Sequence, residues 1–286
     1  MPPLLRALRP GQWTKNLFVL APILFGKAAG DPERLAATLL TFACFCAIAS
    51  ALYLVNDVAD READALHPVK SRRPIASGAL SVNTALATSV VLLAAALTAL
   101  ALRAPSALPY AAAYAVVVAL YTFVLKKVAL LDVFVVASGF VLRVLAGSAA
   151  AAVTPSHWLL LCTFFLALFL ALSKRRGELL GSGSASRKSL DGLTVSLVES
   201  LENVATAVTI VSYALYTVAP ETMSWFGSDR LLYTVPFVVF GLFRWRVLEV
   251  RGAGEDATND LFTDRGLLAT VVAWAATCAG LIYSVS

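Results

Sequence analysis

Nine mostly apolar stretches, separated by charged or Pro/Gly-containing breaks, run the length of this 286-residue chain: about 14–29, 35–56, 81–102, 107–125, 129–150, 157–173, 195–218, 231–248 and 266–285. Most approach the twenty or so residues that an α-helix needs to cross a hydrocarbon layer of about 30 Å. Inside lipid a backbone must satisfy its own hydrogen bonds, and for segments of this length the helix does so. The chain is 59% hydrophobic and only 14% charged, too apolar for a soluble domain of its size. The pattern therefore predicts an all-α integral membrane bundle of nine transmembrane helices, forming a single domain over residues 1–286. The stretches 14–29 and 157–173 are short, and the Ala/Gly-rich run 137–152 suits close helix packing. Small-residue faces of this kind also permit a homo-oligomer.

The basic residues are distributed unevenly between alternate loops. Arg143 falls inside a stretch; of the others, eighteen lie on one side and four, Lys27, Arg34, Arg103 and Arg230, on the other. Basic loops are retained in the cytoplasm, which predicts a cytoplasmic amino terminus and an external carboxyl terminus in the cell (inner) membrane. On the cytoplasmic side fall the polar segments 57–80, 174–192 and 249–265, expected to cap one active site. The sequence shows no cleavable signal peptide, appended soluble domain or low-complexity tract. Cys44, Cys46, Cys162 and Cys278 sit in apolar stretches without metal-ligand spacing and read as packing residues. Arg143 is different, because an ionisable group at that depth costs about 2.5–3.5 kcal/mol and needs a polar partner or a substrate.

The second stretch runs straight into Asn56-Asp57-Val58-Ala59-Asp60-Arg61-Glu62-Ala63-Asp64. Continued as a helix at about 100° per residue, it puts Asp60 about 60° and Asp64 about 20° from Asp57, so the three acids share a face. Such neighbours repel unless a cation joins them, and Mg²⁺, a hard oxygen-ligand ion, suits carboxylates that also hold a substrate phosphate. Downstream lie Lys70, Arg72, Arg73, Lys126, Lys174, Arg175 and Lys188. Acids for a metal beside bases for phosphate suit a polyanionic substrate whose diphosphate departs. Tyr121 and Lys126 offer a phenol and an ammonium to phosphate. Lys174 and Glu178 stand one helical turn apart, as a shared site or as a helix-end salt bridge. The competing reading of the acids is a solvated helix end. A transporter using them as an ion site is a further alternative, disfavoured by their place at the end of a stretch and by the lack of an inverted repeat.

Through Asn56-Asp57-x-x-Asp60-x-x-x-Asp64 and the spacing of the later stretches, the chain resembles the UbiA superfamily of intramembrane prenyltransferases over nearly its whole length. It is most similar to the branch of decaprenyl-phosphate phosphoribosyltransferases. That likeness is carried by Arg9-Pro10-Gly11-Gln12-Trp13-Thr14-Lys15-Asn16, His67-Pro68-x-Lys70, Arg73-Pro74-Ile75-Ala76-x-Gly78, Tyr121 with Leu125-Lys126, Lys174-Arg175-x-x-Glu178, Arg187-Lys188-Ser189-Leu190 and Asp264-Arg265. Prenyl-to-aromatic members carry a second Asp-x-x-x-Asp set where this chain has Lys174-Arg175-Arg176-Gly177-Glu178, a set better suited to hold phosphate directly. Asp256, Asp260 and Asp264 recur every four residues, either as a displaced second acidic set or as a solvated loop and helix start.

The resemblance implies transfer of a 5-phosphoribosyl group from phosphoribosyl diphosphate to a polyprenyl (decaprenyl-type) phosphate, releasing diphosphate and supplying a lipid-linked pentose for cell-envelope glycans. It implies Mg²⁺ on Asp57, Asp60 and Asp64, and substrate contacts from Lys15, Asn56, Lys70, Arg73, Tyr121, Lys126, Lys174, Arg175, Glu178, Arg187 and Lys188. The expected partners are donor, lipid phosphate and bilayer, with no nucleic acid. The alternative within the superfamily is a prenyl diphosphate donor with an aromatic or other small acceptor.

Overall fold

The computed structural model describes residues 1–181, 192–254 and 256–283. Among them there is no strand, and eight helices have the length and apolar composition to cross a membrane. They are α1 (Pro32–Ala59), α2 (Val82–Arg103), α3 (Leu108–Phe123, spanning with the 3-10 turn before it as Pro105–Phe123), α4 (Leu131–Ala150), α5 (His157–Leu180), α6 (Val195–Val218), α7 (Val235–Val250, spanning with the 3-10 turn before it as Arg230–Val250) and α8 (Arg265–Tyr283). Side-chain oxygens of Asp31, Ser81, Ser156 and Thr194 cap the amino ends of α1, α2, α5 and α6, satisfying backbone donors that a helix start leaves open. Thr41, Thr122, Thr206 and Thr209 donate to carbonyls one turn back in their own helices, which hides their hydroxyls from an apolar surround. Large apolar side chains such as Val90, Val91, Val204 and Val211 are exposed while Asp57, Arg175 and Glu202 are buried. That inside-out distribution is the one a bilayer selects. The protein is a multi-pass membrane protein.

The expected span at 14–29 is not among the eight. Pro10–Leu20 is instead a 3-10 helix of 11 residues, continued by the 5-residue α-helix Ala21–Phe25. Side chains three apart eclipse in a 3-10 helix, and isolated runs this long are uncommon, so lateral contacts must hold it. They follow that period: Trp13 Nε1 donates to Ser50 Oγ at 3.0 Å, Asn16 Nδ2 meets Cys46 Sγ at 3.3 Å, and Val19 lies against Gly147. Ser50 and Cys46 are neighbours one turn apart on α1, which gives the 3-10 edge a straight rail to lie on. A rise near 2.0 Å per 3-10 residue makes Pro10–Phe25 about 30 Å long, more than the same residues would reach as an α-helix.

A Cβ at Gly147 would overlap the Val19 carbonyl. Gly147→Ala is therefore expected to cost about 1–3 kcal/mol, read as a lower Tm in detergent. Gly280→Ala, whose added methyl meets open space, is expected to be neutral or slightly stabilising.

The chain packs as two compact units, residues 1–126 with 142–154, and residues 127–141 with 155–286. In the first, α1 lies along α2 and against α3 and the 3-10 stretch, with Phe45, Ile48, Leu100, Tyr114 and Ala146 in its core. In the second, α5 lies along α6, and α7 along α8. Helix α5 runs seven residues past the expected end at 173, so Lys174, Arg175 and Glu178 are helical.

Candidate active site

The acids meet at the carboxyl end of α1 in the first unit. Asp57 is 2% exposed; its Oδ1 takes Arg9 Nη2 at 2.5 Å and Arg73 Nη1 at 3.2 Å. The same Arg73 Nη1 lies 2.6 Å from Asp64 Oδ2. Asp60, at the break where α1 ends with φ −95° and ψ 4°, takes Lys126 Nζ at 2.5 Å on Oδ1 and Asn56 Nδ2 at 3.2 Å on Oδ2. Beyond that break the short helix Arg61–Ala65 delivers Asp64.

This geometry corrects the picture of three unpartnered anions on one helix face. Among the described residues no three Asp, Glu, His or Cys side chains form a metal-binding group. The acids divide into a pair, Asp57 and Asp64, and a separate Asp60, and each has a fixed cationic partner. The pair nevertheless passes a direct test of fit for a divalent cation. One guanidinium nitrogen already touches an oxygen of each carboxylate, so the two converge on a single positive centre.

Arg9 gave no metal or phosphate signal in the sequence beyond its place in a motif. Its backbone is left-handed, φ 53° and ψ 59°, a conformation costing a non-glycine residue about 1–2 kcal/mol. Its guanidinium stacks 5.0 Å from the Tyr53 ring centre. The segment around it is tied down by Ser50 Oγ donating to the Leu8 carbonyl at 2.8 Å and by Arg6 donating to the Arg72 carbonyl at 2.8 Å. Of the other expected contacts in this unit, Lys15 lies half-buried on the 3-10 stretch, Lys70 opens the turn Lys70–Arg72, and Tyr121 lies in the last turn of α3. His67 Nδ1 accepts from the amides of Val69 and Lys70 at 3.2 and 3.3 Å, a role in shaping that turn. Arg143 donates to Asn16 Oδ1 at 2.7 Å and to the Tyr114 hydroxyl at 2.8 Å, and covers the Tyr114 ring at 4.5 Å. It locks α4, α3 and the 3-10 stretch together.

The second unit places the expected basic motif otherwise than its spacing suggested. Arg175 is 2% exposed and its Nε lies 3.0 Å from Oδ2 of Asp132, itself fully buried; it also pairs with Glu178. Arg175 is thus an internal structural cation, and Glu178 turns to it. Lys174, the residue before Arg175 on α5, is exposed. No motif spacing points to Asp132, although a lone acid at the start of an apolar stretch is the signal to seek a buried cation. The same signal marks Glu202 in α6, which shares Arg246 with Glu249, while Trp245 Nε1 donates to Ser173 Oγ at 2.9 Å and Glu249 Oε1 at 3.2 Å. Gly254, at φ +116°, brings its backbone against Ser173, where a Cβ would come within 2.9 Å of the hydroxyl. Arg187 and Lys188 lie outside the described residues.

Among the described residues Asp256, Asp260 and Asp264 do not gather into one metal-binding group. Asp256 caps the helix Ala257–Thr263, Asp260 Oδ2 accepts from the Gly254 amide at 2.8 Å, and Asp264 pairs with Arg244 at 3.1 and 2.7 Å. Hydrogen bonds from Arg244, then one from the Leu267 amide, hold the Asp264 carboxyl down to about 2, against an ordinary 3.8. A lowered folded-state value contributes stability above about pH 4 that is lost as pH falls through about 2. Asp264→Asn is expected to lower the Tm near neutrality and to approach the wild-type Tm only below about pH 2. A gap that stays constant with pH would contradict the pairing.

The sequence profile of the UbiA prenyltransferase family matches residues 18–263. A decaprenyl-phosphate phosphoribosyltransferase of Mycolicibacterium smegmatis is 34% identical, the alignment covering 98% of this chain and 92% of that one. Another, of Corynebacterium glutamicum, is also 34% identical, covering 95% of this chain and 84% of that one. A solved UbiA homologue from Archaeoglobus fulgidus, bound to GPP and Mg²⁺, superposes with a TM-score of 0.73 at 18% identity, covering 99% of each chain. With the profile spanning most of the helical membrane fold and the Asp57–Asp64 segment within it, this chain belongs to the UbiA prenyltransferase family.

Proposed function

We propose that the protein transfers a 5-phosphoribosyl group from phosphoribosyl diphosphate to a polyprenyl phosphate of decaprenyl type, releasing diphosphate. The observation that carries the choice of donor is the 34% identity, over nearly the full length, to two enzymes named for this reaction. The first unit supplies fitting chemistry: a converging carboxylate pair held by Arg9 and Arg73, with Lys126 on the separate Asp60.

Asp57 and Asp64 would hold Mg²⁺, the ion present in the A. fulgidus homologue, with Asp60 and Asn56 beside them. When bound, that ion supplies Lewis-acid stabilisation to the oxygens of the departing diphosphate. Arg73, Lys126 and Lys70 donate to donor phosphate oxygens, and their preset positive charge favours the state in which the C1–oxygen bond is weakened. Lys15 and Tyr121 are assigned to phosphate contacts in the same unit, and Lys174 to phosphate recognition on its charge and exposure. The lipid phosphate is already an anion, so no group need remove a proton before it attacks C1. Attack from the face opposite the diphosphate inverts the anomeric centre.

Counting Pro10–Phe25 as a first crossing before the eight long helices gives nine, an external carboxyl terminus and a cytoplasmic end of α1 carrying the acids. Cysteine labelling from either side of sealed vesicles tests that orientation. The activity is tested by giving purified protein both donor types. Diphosphate release that requires phosphoribosyl diphosphate together with polyprenyl phosphate is expected. Turnover with a prenyl diphosphate and an aromatic acceptor alone defeats the reading.

A further inference from the structure

Asp57 is nearly inaccessible and carries two guanidiniums on one oxygen, from Arg9 and Arg73. The two guanidiniums balance the charges of Asp57 and Asp64, so a divalent cation arriving at that pair would leave positive charge over at the point where an anionic donor is to bind. Arg73 is shared with Asp64, but Arg9 has no second carboxylate among its ion pairs in the described residues. Its left-handed backbone is a strained state that surrounding structure has to enforce, and such strain concentrates where geometry is used. Enforcement is visible: Pro10 follows it, the Leu8 carbonyl is tied to Ser50, and Trp13 is tied to the same hydroxyl. The Tyr53 ring, 5.0 Å from the guanidinium carbon, holds Arg9 by a cation–π contact that does not involve Asp57. A quarter of the side chain is solvent-accessible, so Arg9 is the exposed partner of a buried acid.

Resting on the phosphoribosyl reading above, we propose that Arg9 changes partner during binding. In the donor-free protein it neutralises Asp57. Once a divalent cation takes over that carboxylate, the guanidinium, still held by Tyr53, turns its two-nitrogen edge to a phosphate oxygen of the donor. Arg9 is then both a competitor of the metal and a ligand of the substrate, and its removal must move the two affinities in opposite directions. A residue that merely braces the fold would weaken both.

The test uses full-length Arg9→Gln and Arg9→Lys protein in detergent. Mn²⁺ binding without donor is followed by paramagnetic resonance, and thermal shift with saturating Mg²⁺ follows inorganic diphosphate and, separately, ribose 5-phosphate. Arg9→Gln is expected to bind Mn²⁺ about tenfold more tightly and one of the two phosphate probes about tenfold more weakly, the scale of one charge-assisted hydrogen bond. Which probe weakens tells whether Arg9 meets the diphosphate or the 5-phosphate end. Arg9→Lys keeps the charge and is expected to fall between wild type and Gln in both measurements. Arg73 still neutralises Asp57 in both variants, so they are expected to fold. Unchanged or weaker Mn²⁺ binding, or unchanged affinity for both phosphate probes, overturns the proposal. Opposed shifts in Mn²⁺ and diphosphate affinity, in a protein that turns over only a prenyl diphosphate, would sink the choice of donor and leave the exchange at Arg9 standing.

Discussion

Asp57→Ala is expected to lower phosphoribosyl transfer by about a thousandfold or more, while the protein still inserts and purifies as folded. Removing one preorganised charge from a site that stabilises a leaving group typically costs two to three orders of magnitude, and here a metal anchor goes with it. The fold is expected to tolerate the change because the two stranded cations, Arg9 and Arg73, are about a quarter exposed and Arg73 retains Asp64. Asp60→Ala leaves the Asp57–Asp64 pair intact and frees Lys126, and is expected to abolish most turnover as well. Initial rates at saturating Mg²⁺, with circular dichroism and Tm on the same preparations, separate lost chemistry from lost structure. Wild-type rates in both variants would remove these acids from the mechanism.

Arg175→Ala is expected to do the reverse, with destabilisation of about 3–5 kcal/mol as its primary effect. Breaking a buried ion pair by deleting one partner strands the other charge, and Asp132 is fully buried beside Arg175. The motif spacing alone groups Arg175 with Lys174 as a phosphate ligand, for which a rise in KM with unchanged stability would be expected. The two outcomes are distinct in a single thermal melt. Asp132→Asn is expected to be comparably damaging, and the double change Asp132→Leu with Arg175→Met to recover most of the lost stability, because an apolar pair replaces both charges. Lys174→Ala, at an exposed position, is the variant expected to change kinetics without moving the Tm.

The class of fold was legible because lipid imposes a length and a hydropathy on each span, and both are local properties of sequence. Helix α1 with its acidic end was legible for the same reason. What escaped was everything set by a second helix. Arg9 lies 48 positions from Asp57, and nothing local ties a strained arginine before Pro10 to that carboxylate. Arg175 looks like a surface base in its own stretch, and only Asp132 of α4 makes it internal. Asp256, Asp260 and Asp264 repeat as ligands would, yet an oxygen of each serves a nearby amide or Arg244, which is ordinary for acids at helix starts. The segment 14–29 misled through its period, since the contacts at 13, 16 and 19 follow a repeat of three.

That repeat has a consequence for how the amino-terminal segment tolerates change. Each residue of a 3-10 helix advances the chain by about 2 Å and turns it by about 120°. Deleting a single position between Trp13 and Asn16 would swing everything before it by a third of a revolution and withdraw it by that step. Arg9 would then point away from Asp57, although no side chain at the acid end had been touched. Gly11 and Leu17 are exposed on the outer edges, where new side chains are expected to be tolerated. The stretch behaves like a key with fixed notches, in which the count of residues matters more than the identity of the outward ones.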